Sequence, residues 1–382
     1  MRRLVLKFGG SSVGDVEKIK HAAKIVMEHA QSTEVIVVVS AMQGETNRLL
    51  ELAKKTYNPL VPNREFDQVL ATGEIISASL MALALEAIGL KSISLTGNQA
   101  GIHTDDIYQD ASIKSVDGSK IKSLIEQGVI PVITGFQGVC DDNITTLGRG
   151  GSDLTAVALA HELNADQCWI YTDVQGVYAT DPNIVANNDI FHQMGYVTLK
   201  KMALAGAEVI QYAAIEYAEN NQVSVRICST FEPGLGTLVI SDEAISKPII
   251  VKYSGLTKLF HNAKTKQAYI KLFKNKIVYS SDDCYLLSMV LPEIKTKLRL
   301  IQHLDIDESI QANQTLISIF TPNTMFKKTL LVYFESITYV EILSTKKSDF
   351  VVRILVPDYK MKAMVSDLHY FCRDLSKEAV AL

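Results

Sequence analysis

The chain has 382 residues, which is too long for one simple hydrophobic core, so two or three domains are expected. A hydrophobic content of 47%, a charged content of 21%, a formal net charge of −4 and the lack of a basic block are typical of ordinary globular proteins and argue against nucleic-acid binding. The five cysteines are scattered, the first apolar run breaks too early for a signal peptide, and no apolar run reaches the length of a membrane span, so a cytoplasmic protein without membrane contact is predicted.

Short apolar runs in residues 1–240 predict buried β-strands separated by helical segments. The runs are β-branched and apolar on both faces, which is typical of a parallel sheet. Their alternation with helices predicts an α/β fold with a doubly wound, mainly parallel sheet and helices on both faces. The predicted strands are Leu4–Phe8, Glu34–Ser40, Ser92–Thr96, Val129–Thr134, Cys168–Tyr171 and Val223–Cys228.

Two of the helical segments differ in their apolar pattern. Residues 15–30 carry a single apolar stripe, which predicts an amphipathic helix. Residues 74–90 are apolar nearly all round, which predicts a buried helix that begins at Glu74, directly after Gly73. On local grounds Glu74 is either a functional carboxylate or an acidic residue favoured by the helix dipole in the first turn.

A turn-rich segment at residues 232–248 predicts a domain boundary, so we divide the chain into residues 1–240 and 241–382. The second part has more lysine, few glycines and shorter elements. Its pattern predicts two weakly similar βαβ-type halves, one over residues 249–310 and the other from residue 314 onward.

Glycine- or hydroxyl-rich motifs follow five strands of the first part where each strand ends. Open α/β sheets bind ligands at the carboxyl ends of their strands, so agreement among the five motifs predicts a ligand site at that edge. The alternative is that glycine and threonine merely form turns there. The motifs begin at Lys7, Ser40, Thr96, Thr134 and Thr172.

The first motif, "KFGGSS" at residues 7–12, is neither a P-loop nor a GxGxxG fingerprint. Its glycines permit close approach of the backbone, and successive N–H groups before a helix suit a phosphate. A buried Lys7 is costly unless an anion neutralises it. The alternative is that Lys7 lies on an edge strand and extends to solvent.

The second motif, "GRGGSD" at residues 148–153, predicts a tight or mobile loop before an apolar helix. Arg149, between glycines, is suited to hold a carboxylate in a bidentate pair. Ser152 or Asp153 is predicted to cap the helix. The alternatives are a plain cap for Asp153 and a solvated loop charge for Arg149.

The third motif, "YTDVQGVYATDP" at residues 171–182, places carboxylates and an aromatic ring in a loop after a strand. Such groups suit the ribose and base of a nucleotide. The pattern by itself is weak, because aspartate and proline commonly form turns.

Together these motifs resemble the aspartate kinases (aspartokinases) of the amino-acid kinase superfamily over residues 1–240. "KFGGSSV", "TGE", "LTGNQAGI", "TTLGRGGSD" and "YTDVQGVYATDP" occur in the order and spacing of that family. The resemblance implies the amino-acid kinase fold, followed by a tail of tandem, divergent ACT domains. It also implies phosphorylation of the side-chain carboxylate of L-aspartate by ATP to 4-phospho-L-aspartate, the first step towards lysine, threonine, methionine and diaminopimelate.

The resemblance further implies residue roles. Lys7 and Asp153 are the catalytic residues, with Lys7 holding the ATP phosphates and Asp153 orienting Lys7. Because the aspartate carboxylate is already a nucleophile, no general base is needed, and Mg²⁺ is expected mainly on the ATP phosphates rather than in a protein metal site. The residues implied for ATP and its phosphates are Lys7, Phe8, Gly9, Gly10, Ser11, Ser40, Gly151, Ser152, Asp153, Thr172, Asp173, Tyr178 and Asp181, and those implied for aspartate are Ser40, Thr46, Glu74, Arg149, Gly150 and Ser152.

The chain departs from the family in two regions. Asn183 replaces the usual arginine after "TDP", and Gln211 and Tyr212 replace an "HP" pair. The tail lacks the glycine-rich effector loop of ACT domains, so it is expected to act in a homodimer or larger homo-oligomer. Two alternatives stay open: a weak or inactive homologue that binds amino acids as a regulatory protein, and a kinase for another amino-acid carboxylate.

Overall fold

A computed structural model describes residues 2–57, 63–241, 245–261, 265–273, 276–281, 284–289, 293–294, 310–343 and 350–380. The chain forms two compact units. The first consists of Met1–Val177, Ile190–Lys200 and Glu208–Glu243, and the second of Tyr178–Asp189, Lys201–Ala207 and Ala244–Leu382.

The part of the chain up to residue 240 alternates strands and helices. Its strands are β1 (Arg2–Phe8), β2 (Thr33–Val39), β3 (Ser92–Leu95), β4 (Ile102–Thr104), β5 (Ile113–Val116), β6 (Ile130–Thr134), β7 (Gln137–Cys140), β8 (Asn143–Thr146), β9 (Gln167–Thr172), β10 (Val177–Tyr178), β11 (Ile190–Phe191), β12 (Gln193–Gly195), β13 (Val225–Ser229) and β14 (Thr237–Ile240). Its helices are α1 (Val16–Ala30), α2 (Glu45–Thr56), α3 (Arg64–Ala87), α4 (Ser119–Glu126), α5 (Gly151–Glu162), α6 (Tyr196–Leu204) and α7 (Tyr212–Asn220).

The central sheet of the first unit has eight strands in the order β12–β14–β13–β9–β1–β2–β6–β3. The six strands predicted from the sequence are the contiguous run from β13 to β3, and all of them pair in parallel. The predicted α/β fold with a mainly parallel sheet is therefore confirmed. A second sheet in the order β5–β4–β7–β8, whose strands have three or four residues each, was not predicted.

Strand β1 lies in the middle of the central sheet, so Lys7 is not on an edge strand. Lys7 pairs in register with Val38 of β2 and Ile170 of β9. Leu6 and Phe8 belong to the core cluster that α1 and α3 cover. Because side chains alternate along a strand, Lys7 points to the opposite face, where α5 packs on β1.

Helix α3 corrects one sequence expectation. It begins at Arg64, with the Asn63 side chain accepting from the first-turn N–H groups, so Glu74 lies well inside the helix rather than at its start. Gly73 serves close packing instead, because a Cβ built there would lie 2.9 Å from Ala41 Cβ. Among the described residues, α3 is the one helix long and apolar enough to cross a membrane, but core helices pass the same test, and half of its most apolar window is buried.

The second unit contains a six-stranded antiparallel sheet in the order β16–β17–β15–β18–β20–β19, and this order is symmetric about the β15–β18 pair. The arrangement fits the two similar halves expected from the sequence, and the assignment of this unit to ACT domains stays a prediction. The elements are β15 (Ile249–Phe260), α8 (Lys266–Phe273), β16 (Ile277–Ser280), β17 (Cys284–Leu287), β18 (Ile310–Phe320), α9 (Thr324–Glu335), β19 (Glu341–Ile342), β20 (Val351–Pro357), a 3₁₀ turn (Asp358–Lys360) and α10 (Met361–Val380).

Candidate active site

A cavity of about 560 Å³ opens in the first unit at the carboxyl ends of β1 and β2. Its walls come from the turn after β1, the β2–α2 connection, one face of α3 and the glycine-rich loop that leads into α5. The structure thus brings together residues as far apart in the chain as Lys7 and Gln211. The predicted site residues that line the cavity are Lys7, Gly10, Ser40, Thr46, Glu74, Arg149, Gly150, Gly151, Ser152 and Asp153.

Lys7 and Asp153 form an ion pair at the floor of the cavity. Lys7 Nζ lies 2.6 Å from Asp153 Oδ1, and the two residues are only 8% and 6% exposed. Asp153 is in the first turn of α5, where the helix dipole favours a negative charge. The anion that neutralises the buried lysine within this chain is therefore Asp153.

The turn after β1 offers backbone donors. Gly9 N–H donates to the carbonyl of Tyr171, and the N–H groups of Ser12 and Val13 donate to the carbonyl of Gly9. Within the described ranges, the N–H groups of Gly10 and Ser11 donate to no protein group. Of these two residues Gly10 lines the cavity and Ser11 does not.

The Phe8 ring belongs to the core rather than to a ligand site. It is fully buried and stacks on Tyr171 with 4.9 Å between the ring centroids. Its carbonyl accepts from the Ser40 N–H. The ring and the carbonyl of Phe8 are thus engaged within the protein, and the contact between Phe8 and ATP phosphates that the resemblance implies stays a prediction.

Glu74 is a buried carboxylate with one unsatisfied oxygen. It is 2% exposed, and its Oε1 accepts from the Ala41 N–H at 2.9 Å. Its Oε2 is buried and has no hydrogen-bond partner in the described part of the chain. Burial raises the pKa of Glu74 to about 7, because the charged form loses hydration, and the Ala41 N–H offsets part of that rise.

The glycine-rich loop presents Arg149 at the mouth of the cavity. Gly148 and Gly150 have φ values of 71° and 72°, a left-handed conformation that glycine adopts without strain. Arg149 between them is exposed and makes no hydrogen bond or ion pair with the described residues. Gly150 is the N-cap of α5, so the predicted capping role of Ser152 or Asp153 is wrong, since both lie inside the first turn.

The cavity also includes residues that sequence reasoning missed. Gln109 and Thr146 line it, and the buried carboxylate of Asp67 accepts hydrogen bonds from both backbone N–H groups. Gln211 lines it as well and packs flat on Gly150, where a Cβ would lie 1.8 Å from Gln211 Cγ. One signal for Asp67 was present, because a carboxylate two helical turns before Glu74 shares its face of α3.

The residues expected on the nucleotide side do not line this cavity. Thr172 is the last residue of β9 and Asp173 follows it, and the Thr172 hydroxyl donates to the Asp173 carboxylate at 3.1 Å. Tyr178 and Asp181 fall in the second unit, where Asp181 pairs with Lys252 at 3.1 Å. Their roles in nucleotide binding stay predictions.

The three departures from the family pattern have structural partners. Asn183 N–H donates to the side chain of Asp181 at 2.9 Å, which closes a turn. Tyr212 donates its hydroxyl to Glu216 at 2.9 Å along α7. Gln211 contacts the glycine-rich loop, as described above.

Comparisons with known proteins agree with this architecture. The model of the amino acid kinase family matches residues 2–229. The chain is 45% identical over 254 residues to the aspartate kinase Ask_LysC of Stutzerimonas stutzeri (strain A1501), which covers 65% of this chain and 61% of that protein. It is 43% identical over 251 residues to the aspartokinase of Geobacillus stearothermophilus, which covers 65% and 61% of the two chains.

The whole chain also has a structural neighbour. The crystal structure of E. coli aspartokinase III in complex with aspartate and ADP matches with a TM-score of 0.77 and 21% identity over 97% of this chain and 99% of that chain. At 21% identity this structural similarity is evidence for the fold alone. The chain spans about three fifths of the length of the curated relatives that it matches. The resemblance to aspartate kinases is confirmed, and the chain belongs to the amino acid kinase family.

Proposed function

We propose that this protein is an aspartate kinase that transfers the γ-phosphoryl group of ATP to the side-chain carboxylate of L-aspartate and forms 4-phospho-L-aspartate. The observation that carries the proposal is a single cavity with complementary charges for this substrate. It combines the exposed guanidinium of Arg149, the Lys7–Asp153 pair and the unsatisfied carboxylate of Glu74.

L-Aspartate has two carboxylates and one ammonium group, and each has a counterpart in the cavity. Arg149 holds one carboxylate as a bidentate pair, which its freedom from other partners permits. Glu74 receives the ammonium group, which satisfies its unpaired oxygen and favours its ionised form. Ser40 and Thr46, from the β2–α2 connection, contribute polar contacts on the same wall.

The second carboxylate is the nucleophile, and because it is already ionised at neutral pH the reaction needs no general base. Lys7 lies at the floor of the cavity, and its charge counters the negative charge of the transferred phosphoryl group in a water-poor environment. Asp153 fixes the position of the Lys7 ammonium. The N–H groups of Gly10 and Ser11, together with the N-terminus of α5, provide donors for phosphate oxygens.

ATP and Mg²⁺ are the proposed cofactors. Among the residues that the structure describes, no three His, Cys, Asp or Glu side chains are grouped to hold a metal ion. We propose that Mg²⁺ binds mainly to the ATP phosphates and keeps several water ligands, because this ion loses its water reluctantly and commonly reaches proteins with substrate phosphates. Thr172, Asp173, Tyr178 and Asp181 are the proposed contacts of the nucleoside.

The cellular role proposed is the first step of lysine, threonine, methionine and diaminopimelate biosynthesis in the cytoplasm. The curated relatives are aspartate kinases, which supports this assignment. For residues 241–382 we propose an ACT-like region that holds a homodimer or larger homo-oligomer together.

The decisive experiment incubates the protein with MgATP, L-aspartate and hydroxylamine, which converts an acyl phosphate into a hydroxamate. We expect aspartyl hydroxamate with L-aspartate. L-Asparagine is the control, because it keeps the α-amino and α-carboxylate groups but lacks the nucleophile. If calorimetry detects binding of L-aspartate but no hydroxamate forms, the result favours the regulatory alternative. If hydroxamate forms from L-glutamate instead of L-aspartate, the result favours a kinase for another amino-acid carboxylate.

A further inference from the structure

We propose that the side-chain carboxamide of Gln109 contacts the amino-acid substrate and sets its affinity, and that the buried carboxylate of Asp67 positions Gln109 for this contact. The inference deepens the proposed function and rests on it, because it concerns the same cavity. Neither residue is part of the motifs that identify the family.

Asp67 is a fully buried carboxylate whose two oxygens accept hydrogen bonds from backbone N–H groups. It is 0% exposed, and both of its oxygens accept from the Gln109 N–H at 3.1 Å. Its Oδ2 also accepts from the Thr146 N–H at 2.7 Å. Glu74, seven residues later on the same helix face, differs because one of its oxygens is unsatisfied. The contrast assigns a positioning role to Asp67 and a ligand-binding role to Glu74.

Gln109 has a backbone conformation that residues other than glycine rarely adopt. Its φ is 64°, in the left-handed region, and such residues cluster at functional sites where their surroundings hold them in place. Here the hold is the paired hydrogen bond from its N–H to Asp67. Without a further benefit, glycine would fill this position with less strain.

The same arrangement supports the loop that carries Arg149. A Cβ built on Gly148 would lie 3.2 Å from the Gln109 carbonyl oxygen and 3.1 Å from Asp110 Oδ1, so residues 109–110 pack directly against this glycine. Thr146, which Asp67 also holds, is the last residue of β8, just before the loop. Asp67 therefore ties two segments of the cavity wall to α3.

The Gln109 side chain is available for a ligand. It is half-buried, it lines the cavity with Arg149 and Glu74, and its carboxamide makes no hydrogen bond with the residues that the structure describes. A carboxamide both donates and accepts, which suits a substrate that carries carboxylate and ammonium groups. Its hydrogen bond to a charged group would be among the stronger ones.

The test compares Gln109→Gly and Gln109→Asn with wild type in the hydroxamate assay, in calorimetry with L-aspartate and in thermal unfolding. Gln109→Gly removes the carboxamide and relieves the backbone strain. We expect its KM for L-aspartate to rise roughly tenfold or more, with the KM for ATP unchanged and the melting temperature unchanged or higher. Gln109→Asn keeps a carboxamide on a shorter side chain and tolerates the left-handed conformation. Its KM for L-aspartate should therefore lie between those of wild type and Gln109→Gly.

Asn164→Gly is the matched control. Asn164 is exposed, has a φ of 49° and does not line the cavity, so its replacement relieves similar strain without removing a ligand contact. We expect unchanged kinetics for this variant.

Asp67→Asn replaces one of the two acceptor oxygens with an NH₂ group, which is a donor and faces the backbone N–H donors of Gln109 and Thr146. We expect this variant to raise the KM for L-aspartate and to leave the KM for ATP unchanged.

A Gln109→Gly variant that binds and phosphorylates L-aspartate like wild type overturns the inference and leaves the proposed function intact. Equal rises in the KM values for L-aspartate and ATP, or the same change in Asn164→Gly, also overturn it, since a general loss of structure would explain them. A wild-type protein that forms no hydroxamate but binds L-aspartate removes the proposed function only, and weaker binding by Gln109→Gly then still supports the inference. A wild-type protein that does neither removes both.

Discussion

Lys7 Nζ and Asp153 Oδ1 lie 2.6 Å apart, at the end of the central strand β1 and in the first turn of α5, and both side chains are about nine-tenths buried. A buried charge without a partner is strongly unfavourable, so each residue makes the other tolerable. The pair also sets the place of the lysine ammonium before any phosphate arrives, which is the preorganised positive charge that phosphoryl transfer needs.

The first prediction concerns the removal of this lysine. We expect Lys7→Ala to lower kcat by roughly 10²–10³, because one preorganised charge is lost from the transition state. We also expect a loss of about 3–5 kcal/mol in the free energy of unfolding, because Asp153 is left unpaired. Kinetics in the hydroxamate assay and urea unfolding measure the two effects.

Two further variants separate the effects of charge and stability. Lys7→Met combined with Asp153→Asn removes both charges, so it should regain stability without regaining activity. Lys20→Ala removes an exposed lysine that pairs with Glu17 and should change neither quantity. Near-normal turnover by Lys7→Ala would contradict the catalytic role of Lys7.

The second prediction concerns pH and Glu74. Its pKa of about 7 in the folded protein lies above the ordinary value of 4.5, so the folded state binds this proton more tightly than the unfolded state. From about pH 4.5 to 7, the free energy of unfolding of wild type should therefore fall relative to that of Glu74→Gln as the pH rises. Relative to its value below pH 4.5, the stability of wild type compared with Glu74→Gln should have fallen by roughly 3 kcal/mol above pH 7.

The affinity for L-aspartate should change with pH in the opposite direction to the free energy of unfolding. In the proposed binding mode the ammonium group of aspartate pairs with ionised Glu74, so the wild-type KM for L-aspartate should rise as the pH falls below 7, and Glu74→Gln should have a high KM without this dependence. Urea unfolding from about pH 4.5 to 8.5 and KM profiles from about pH 5.5 to 8.5 test both signs. A Glu74→Gln variant with the pH profile of wild type would rule out Glu74 as the group responsible.

The third prediction concerns Arg149. Because it is exposed and has no partner among the described residues, Arg149→Ala should leave thermal stability unchanged. It should raise the KM for L-aspartate by roughly tenfold to a hundredfold, since a charged hydrogen-bonded contact is lost. Arg149→Lys should restore little, because an ammonium cannot form the bidentate pair.

Arg48→Ala is the control for a change of surface charge near this site. Arg48 is exposed and pairs with Glu45 on α2, and it is not one of the residues that line the cavity. We expect wild-type kinetics for this variant. A similar KM increase in both arginine variants would point to a long-range charge effect rather than a contact.

The fourth prediction concerns the glycine that caps α5. Gly150→Ala introduces a side chain at a φ of 72° and places its Cβ 1.8 Å from Gln211 Cγ, so the loop must move. We expect a large loss of activity and a larger loss of stability than in Gly89→Ala. Gly89 has a φ of 85° with no atom near its Cβ position, so that variant carries the cost of the backbone conformation alone, about 1 kcal/mol.

A double variant tests the cause. Gly150→Ala with Gln211→Gly removes the overlap but not the unfavourable φ, so it should recover part of the lost stability in urea unfolding. No recovery would mean that the contact between Gln211 and the loop does not set the stability of this region.

The parallel sheet and most of the cavity wall could be predicted because they follow from local patterns. Apolar β-branched runs identified the six strands of the contiguous parallel run, the motif at the end of β1 identified Lys7, and the glycine-rich loop before α5 identified Arg149 and Asp153. Parallel strands end at the same edge, so side chains that follow them lie near one another whatever their separation in the chain.

Other features depended on contacts between distant segments. The start of α3 at Arg64 was missed because Gly73 resembles a helix boundary in the sequence, whereas it is needed for close packing on Ala41. The capping role expected of Ser152 or Asp153 belongs to Gly150, because the glycine-rich loop enters α5 in the left-handed conformation.

The sequence by itself determined the class of the fold, because hydrophobic periodicity and turn chemistry act over a few residues. Its motifs, through their resemblance to aspartate kinases, also indicated the family and ten of the residues that line the cavity. Only the tertiary structure decided that Asp153 neutralises Lys7, that one oxygen of Glu74 has no partner among the described residues, and that Asp67 holds Gln109. Burial, hydrogen-bond satisfaction and pKa depend on which segments pack together, and that is a property of the folded chain as a whole.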